Sequence, residues 1–128
     1  MKISKKAEYG LRAMVHLAEN KNKKAISIRE ISNTEGMPFE FLSKIFADLE
    51  RAKLAKAKHG ANGGYFLARP ANKITTADIV SVLEENKKLV NCSLCSRKKE
   101  CLTKSVWARV EEALNKTLKS IKLAELIK

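Results

Sequence analysis

The sequence predicts a mainly α-helical fold carrying one small β-hairpin, and three observations predict it. Apolar residues recur at helical spacing along much of the 128-residue chain. Two serine/threonine capping boxes, Ser27 to Glu30 and Thr75 to Asp78, mark helix starts. Between them lies a glycine-rich tip, His59-Gly60-Ala61-Asn62-Gly63-Gly64, flanked by short strand-forming runs. Helix, helix, then hairpin is the order of a winged helix-turn-helix. A long helix follows, with an apolar face that a second surface must cover.

The first helix is expected from Ser4 to Glu19, where Ile3, Ala7, Leu11, Met14, Val15 and Ala18 form one stripe. Asn20 to Ala25 is polar and reads as a loop. Ser27 caps a short second helix carrying Ile28 and Ile31, and Gly36 interrupts it. Pro38 suits the first turn of a third helix running to about Arg51, because its fixed φ is already helical. That helix is expected to bury Phe41, Leu42, Ile45, Phe46 and Leu49. Leu54 to Lys58 and Tyr65 to Ala68 form the hairpin strands, ended by Arg69-Pro70. The glycines of the tip do not match a phosphate-binding spacing, and no helix follows them directly. Thr75 starts a fourth helix to about Glu85, with Ile79, Val82 and Leu83 inward.

A last long helix is expected from Thr103 to Leu118, with Val106, Val110, Ala113, Leu114, Thr117 and Leu118 on one face. Leu123 to Ile127 is expected to pack back onto it. Another copy of the chain is the simplest cover for the apolar face; packing against the first helix is the alternative. The chain thus divides into a winged-helix DNA-binding domain (1–85), a cysteine-bearing loop (86–102), and a dimerisation helix with a C-terminal segment packing onto the same fold (103–128).

The net charge is +12, with lysine the main contributor, which favours an anionic partner and nucleic acid first. No apolar run approaches the ~18 residues of a membrane span. The N-terminus has the charge of a signal peptide without its apolar centre, so a cytoplasmic location and no membrane partner are expected. Histidine is too sparse for a convincing catalytic triad, and no paired-carboxylate pattern stands out, so no enzyme is expected.

All three cysteines fall within one polar stretch, Cys92-Ser93-Leu94-Cys95-Ser96-Arg97-Lys98-Lys99-Glu100-Cys101. A reducing compartment disfavours structural disulfides, so the cluster points to metal or redox chemistry. On residue types alone, zinc is at least as good a candidate as iron–sulfur. Three thiolates are one short of a closed four-ligand site.

The chain resembles the Rrf2 family of bacterial transcription regulators, whose best-known branches regulate iron–sulfur cluster assembly and respond to nitric oxide. The resemblance rests on Met1-Lys2-Ile3-Ser4-Lys5-Lys6-Ala7-Glu8-Tyr9-Gly10-Leu11-Arg12-Ala13-Met14 and on Phe41-Leu42-Ser43-Lys44-Ile45-Phe46. It continues in Gly60-Ala61-Asn62-Gly63-Gly64-Tyr65, Ile74-Thr75-Thr76-Ala77-Asp78-Ile79, Cys101-Leu102-Thr103-Lys104-Ser105-Val106-Trp107 and Ile121-Lys122-Leu123-Ala124-Glu125-Leu126. It implies a homodimer that binds palindromic double-stranded operator DNA and responds to a [2Fe-2S] or [4Fe-4S] cluster on Cys92, Cys95 and Cys101. Redox or nitric oxide sensing would then work as a population shift acting on the spacing of the recognition helices. A zinc-stabilised or cofactor-free winged-helix regulator is the alternative, and a basic RNA-associated module a third.

Departures from the family pattern sharpen the expected sites. The assembly-regulator branch has a histidine three residues after its last cysteine, where this chain has Lys104. The nitric-oxide-sensing branch uses an acidic residue early in the first helix; the matching residue is Glu8, the candidate fourth ligand. For DNA, the third helix offers Glu40, Ser43 and Lys44, and the wing offers His59, Gly60 and Asn62, with His59 standing where the family has arginine. Lys5, Ser27 and Lys58 complete the expected contacts. Lys2, Lys6, Arg51, Lys53 and Lys56 are further phosphate candidates.

Overall fold

The computed structural model describes residues 2–20, 25–85 and 102–127. Cys92, Cys95 and Cys101 lie outside the described residues. Helix α1 (Lys5–Glu19) opens where Ser4 Oγ accepts the Ala7 N–H at 3.1 Å. Helix α2 (Ile28–Glu35) opens the same way, with Ser27 Oγ accepting the Glu30 N–H at 3.0 Å. Gly36 ends it in the left-handed conformation (φ 70°), which costs a side-chain-free residue little. Helix α3 (Phe39–Arg51) follows after a three-residue connection, Gly36-Met37-Pro38. Pro38 stands one position earlier than expected, as the N-cap, where its extended ψ of 131° turns the chain into the helix.

Strands β1 (Ala55–Lys58) and β2 (Gly64–Leu67) pair antiparallel, Ala55 opposite Leu67 and Lys58 opposite Gly64. The second strand therefore begins one residue before the expected Tyr65. Ile26 adds a third, single-residue rung: Ile26 N–H donates to Tyr65 O at 2.9 Å, and Tyr65 N–H donates to Ile26 O at 2.8 Å. This rung explains Gly64. Its φ is 154°, and a Cβ there would sit 2.3 Å from the Ile26 carbonyl carbon and oxygen. The segment before α2 is thereby tied to the base of the wing.

After a single 3-10 turn at Ala71–Lys73, helix α4 (Thr76–Leu83) starts with a complete capping box. Asp78 N–H donates to Thr75 Oγ1 at 3.1 Å, and Thr75 N–H donates to Asp78 Oδ2 at 3.0 Å. Ile79 and Leu83 are fully buried, whereas Val82, expected inward, is 36% exposed. Helix α4 presents its 79/83 face to α1, where Gly10 leaves room for Leu83: a Cβ at Gly10 would meet Leu83 Cδ1 at 2.0 Å.

Helix α5 (Lys104–Ser120) closes the order with a short 3-10 helix, Leu123–Leu126. That last segment packs on the body rather than on α5. Leu123 is fully buried, its N–H donates to Ile74 O at 2.8 Å, and Thr76 N–H donates to Ile121 O at 2.8 Å. Helix α5 leans on α4, where Thr76 Oγ1 donates to Leu118 O at 2.5 Å.

One core unites α1, α3, α4 and the base of the wing. Met14, Ile31, Leu42, Ile45, Phe46, Leu49, Ile74, Ile79 and Leu83 are fully buried in it. Each such side chain contributes about 1.5–3 kcal/mol by burial. Phe41, expected in this core, is half-buried and meets Tyr9 edge-on with ring centroids 5.7 Å apart. Tyr65 stacks on Phe46 at 4.7 Å, so the wing's second strand leans on the third helix.

Candidate nucleic-acid interface

The buried stripe of α3 fixes which residues it presents outward. With Leu42, Ile45, Phe46 and Leu49 facing the core, Glu40 and Lys44 share the exposed face four residues apart. Ser43 lies beside them, half-buried, and its hydroxyl donates back to Phe39 O at 3.1 Å. A helix with this exposure beside a wing is the geometry of a recognition helix, whose N-terminal residues meet base edges.

The wing tip is exposed throughout His59, Gly60, Ala61 and Asn62. Gly63 N–H donates to Gly60 O at 3.0 Å, and Gly60 takes a φ of 112°, which closes the turn. A Cβ at Gly63 would sit 2.4 Å from Lys58 O, so the turn is sterically committed. Lys56 and Lys58 are exposed on the first strand. Ser27 is exposed, with its hydroxyl engaged as the α2 cap.

The lysines and arginines of the N-terminal half have unlike environments. Lys5 is exposed and forms a loose pair with Glu8 at 3.6 Å. Lys6 is drawn inward, with its side chain only 24% exposed; Nζ lies 2.6 Å from Asp48 of α3 and 3.8 Å from Glu85 after α4. It is a tie between helices rather than a free phosphate contact. Arg51 also joins Asp48. Ser4 N–H donates to Glu84 Oε2 at 2.9 Å, so the start of α1 is held twice to the end of α4.

Two constellations were not anticipated in the sequence. Arg12 Nη2 donates to Glu35 O at 3.1 Å and to Glu35 Oε1 at 3.3 Å, while His16 Nδ1 lies 3.0 Å from Glu35 Oε2. His16 is buried. Its hydrogen bond is the main influence holding the Glu35 carboxyl below the usual carboxylate range; burial opposes this, and the charges of His16 and Arg12 add to it. The network pins the end of α2 to α1. The second is Arg29, whose guanidinium lies 4.8 Å from the centre of the Phe39 ring. Both depend on partners from different helices, so no local spacing reveals them. Tyr65, by contrast, is a packing residue: burial, then the nearby Glu50 charge, pushes its hydroxyl up.

Among the described residues, no three histidine, cysteine or acidic side chains stand together to hold a metal ion, and no helix is long and apolar enough to cross a membrane. Glu8 is half-exposed on α1, with Lys5 as its pair.

Comparison with known proteins agrees with this geometry. A family model for Rrf2, described as an iron-dependent transcriptional regulator, matches residues 3–128. Protein rrf2 of Nitratidesulfovibrio vulgaris is 31% identical over 132 residues, covering 100% of this chain and 88% of the relative. The HTH-type transcriptional regulator IscR of Xenorhabdus nematophila is 29% identical, covering 100% and 80%. Among solved structures, IscR of T. potens superposes with a TM-score of 0.82 at 35% identity, covering 98% of this chain and 85% of that one. CymR, the global cysteine regulator of B. subtilis, gives 0.84 at 30% identity, covering 98% and 95%. The chain belongs to the Rrf2 family of winged-helix regulators: it is a DNA-binding transcription regulator and not an enzyme.

Proposed function

We propose that this regulator binds palindromic operator DNA as a homodimer and responds to an iron–sulfur cluster held by Cys92, Cys95, Cys101 and Glu8. The observation that carries the reading is the tie at Lys6. Its ammonium pairs with Asp48 of the recognition helix at 2.6 Å, and the exposed Glu85, the last described residue before the cysteine-bearing segment, stands 3.8 Å away. Ser4, in the same turn, bonds Glu84. A change in that segment therefore has a short mechanical route to α3 through the first turn of α1.

The donor set fits such a group. Three thiolates are soft ligands suited to iron–sulfur centres, and a carboxylate is an acceptable fourth. Glu8 is free to serve, because a half-exposed surface pair at 3.6 Å is worth little and is easily exchanged. Bound there, the cluster supplies redox and nitric oxide chemistry. The protein's own part is to bias two arrangements of the recognition helices.

On DNA, Glu40, Ser43 and Lys44 face base edges, with Lys44 donating to guanine and Glu40 accepting from cytosine. His59, Gly60 and Asn62 enter the neighbouring groove, and Lys5, Ser27 and Lys58 meet phosphates. The pairing of two protomers is supported by α5, which has no buried residue while Val106 is 51% exposed, Trp107 38% and Leu114 40%. A two-fold dimer matches a palindromic site.

The test is anaerobic isolation with iron, sulfide and zinc quantified, followed by operator binding of loaded and stripped protein. Visible absorption, with iron and sulfide in stoichiometric amounts, and unequal operator binding of the two forms are expected. Colourless protein with one zinc per chain would replace the cluster with a structural metal. Equal binding of both forms would end the sensing reading.

A further inference from the structure

We infer that Arg29 is a DNA-phosphate contact whose guanidinium is held in position by the ring of Phe39. The inference rests on the DNA-binding reading above and adds to it a residue pair outside the expected contact set.

Arg29 is the second residue of α2, and Phe39 is the first residue of α3. The guanidinium carbon stands 4.8 Å from the ring centre, within the range of a cation–π contact. Phe39 is 40% exposed. The core does not require it, since Leu42, Ile45, Phe46 and Leu49 already supply the buried face of α3. The exposed ring at the start of the recognition helix is therefore available to support Arg29.

The charge environment of Arg29 differs from that of neighbouring arginines. Arg12 is neutralised by Glu35, and Arg51 by Asp48. Among the described residues Arg29 has no carboxylate partner. The ring stands against one side of the guanidinium at 4.8 Å, and Arg29 is exposed to an incoming anion. Arginine suits this arrangement because stacking and forked donation use different parts of the group. In a helix-turn-helix the first helix crosses the DNA backbone while the second enters the groove. Arg29 lies on that first helix, which assigns it to phosphate rather than to a base edge.

The experiment uses the full chain and a duplex that the wild-type protein selects from a random-sequence pool. Binding is measured against salt for wild type, Arg29→Gln, Arg29→Lys and Phe39→Leu, with thermal melts confirming that each variant folds. Arg29→Gln should weaken binding uniformly across base-pair variants of the duplex and lower the salt slope by about 0.9. Arg29→Lys and Phe39→Leu should keep the slope and each lose about two- to fivefold in affinity, the scale of an exposed cation–π contact. Arg29→Lys combined with Phe39→Leu should lose no more than either substitution alone. Wild-type slope and affinity in Arg29→Gln would overturn the contact. A loss confined to particular base pairs would overturn its assignment to phosphate. Unchanged binding by Phe39→Leu would overturn the supporting role of the ring. Failure of the wild-type chain to enrich any duplex would instead overturn the DNA-binding reading, and this inference with it.

Discussion

Helices α3 and α5 are both amphipathic, yet their apolar stripes meet opposite fates. In α3 the stripe of Leu42, Ile45, Phe46 and Leu49 is wholly buried by the same chain. In α5 none of the 17 residues is buried, and Val106, Trp107 and Leu114 stand in solvent. An amphipathic pattern states that a face must be covered but not what covers it. For α3 the cover is α1, α4 and the wing; for α5 the described residues supply none, and the proposed homodimer would. A contiguous apolar face of this kind marks an interaction surface.

The sharpest way to break this contrast is to remove one buried and one exposed apolar group and compare the consequences. Phe46→Ala should cost about 3–5 kcal/mol of folding stability in urea titration, because it opens a cavity beneath Tyr65. Paired aspartates at Val106 and Leu114 should leave the winged body folded by circular dichroism and abolish self-association. Operator affinity should then fall roughly 100-fold, as bivalent binding becomes monovalent. A double variant that unfolds instead would mean that α5 is covered within its own chain.

A smaller effect separates two adjacent lysines. Lys6→Met should cost about 1 kcal/mol through its part-buried pair with Asp48 while leaving the salt dependence of DNA binding unchanged. Lys5→Met should do the reverse, sparing stability and lowering the salt slope by about 0.9. Identical behaviour of the two variants would remove the distinction drawn from their exposure.

The smallest expected effect is on pH dependence. The native Glu35 carboxyl is held below its ordinary value of 4.5, so the unfolded chain takes up the proton first as pH falls. Its contribution to stability is therefore complete above that value and is lost as pH falls through the lowered native one. Thermal melts of Glu35→Gln should show a flatter decline across that acidic window than wild type. Parallel curves would argue that the bonds to His16 and Arg12 do not persist in solution.

What was legible in the sequence was whatever local chemistry decides. Ser27 and Thr75 announce their helices because a cap needs only its own neighbours, and Gly36 ends α2 because its φ is positive. The hairpin was legible within one residue, since the shift to Gly64 is imposed by Ile26, which lies far away in sequence. Val82 and the Leu123–Leu126 segment were misplaced because periodicity does not name the element that a face will meet. That Glu40, Lys44 and the wing tip stand exposed could be read from the order of elements. The ties of Lys6 and Glu35 and the contact of Arg29 with Phe39 could not, since each needs a partner on another helix.

Sedimentation equilibrium of the full wild-type chain tests the central contrast most directly. The account predicts a dimer at micromolar concentration that the Val106 and Leu114 aspartates convert to a folded monomer. A wild-type chain that stays monomeric up to millimolar concentration would contradict it.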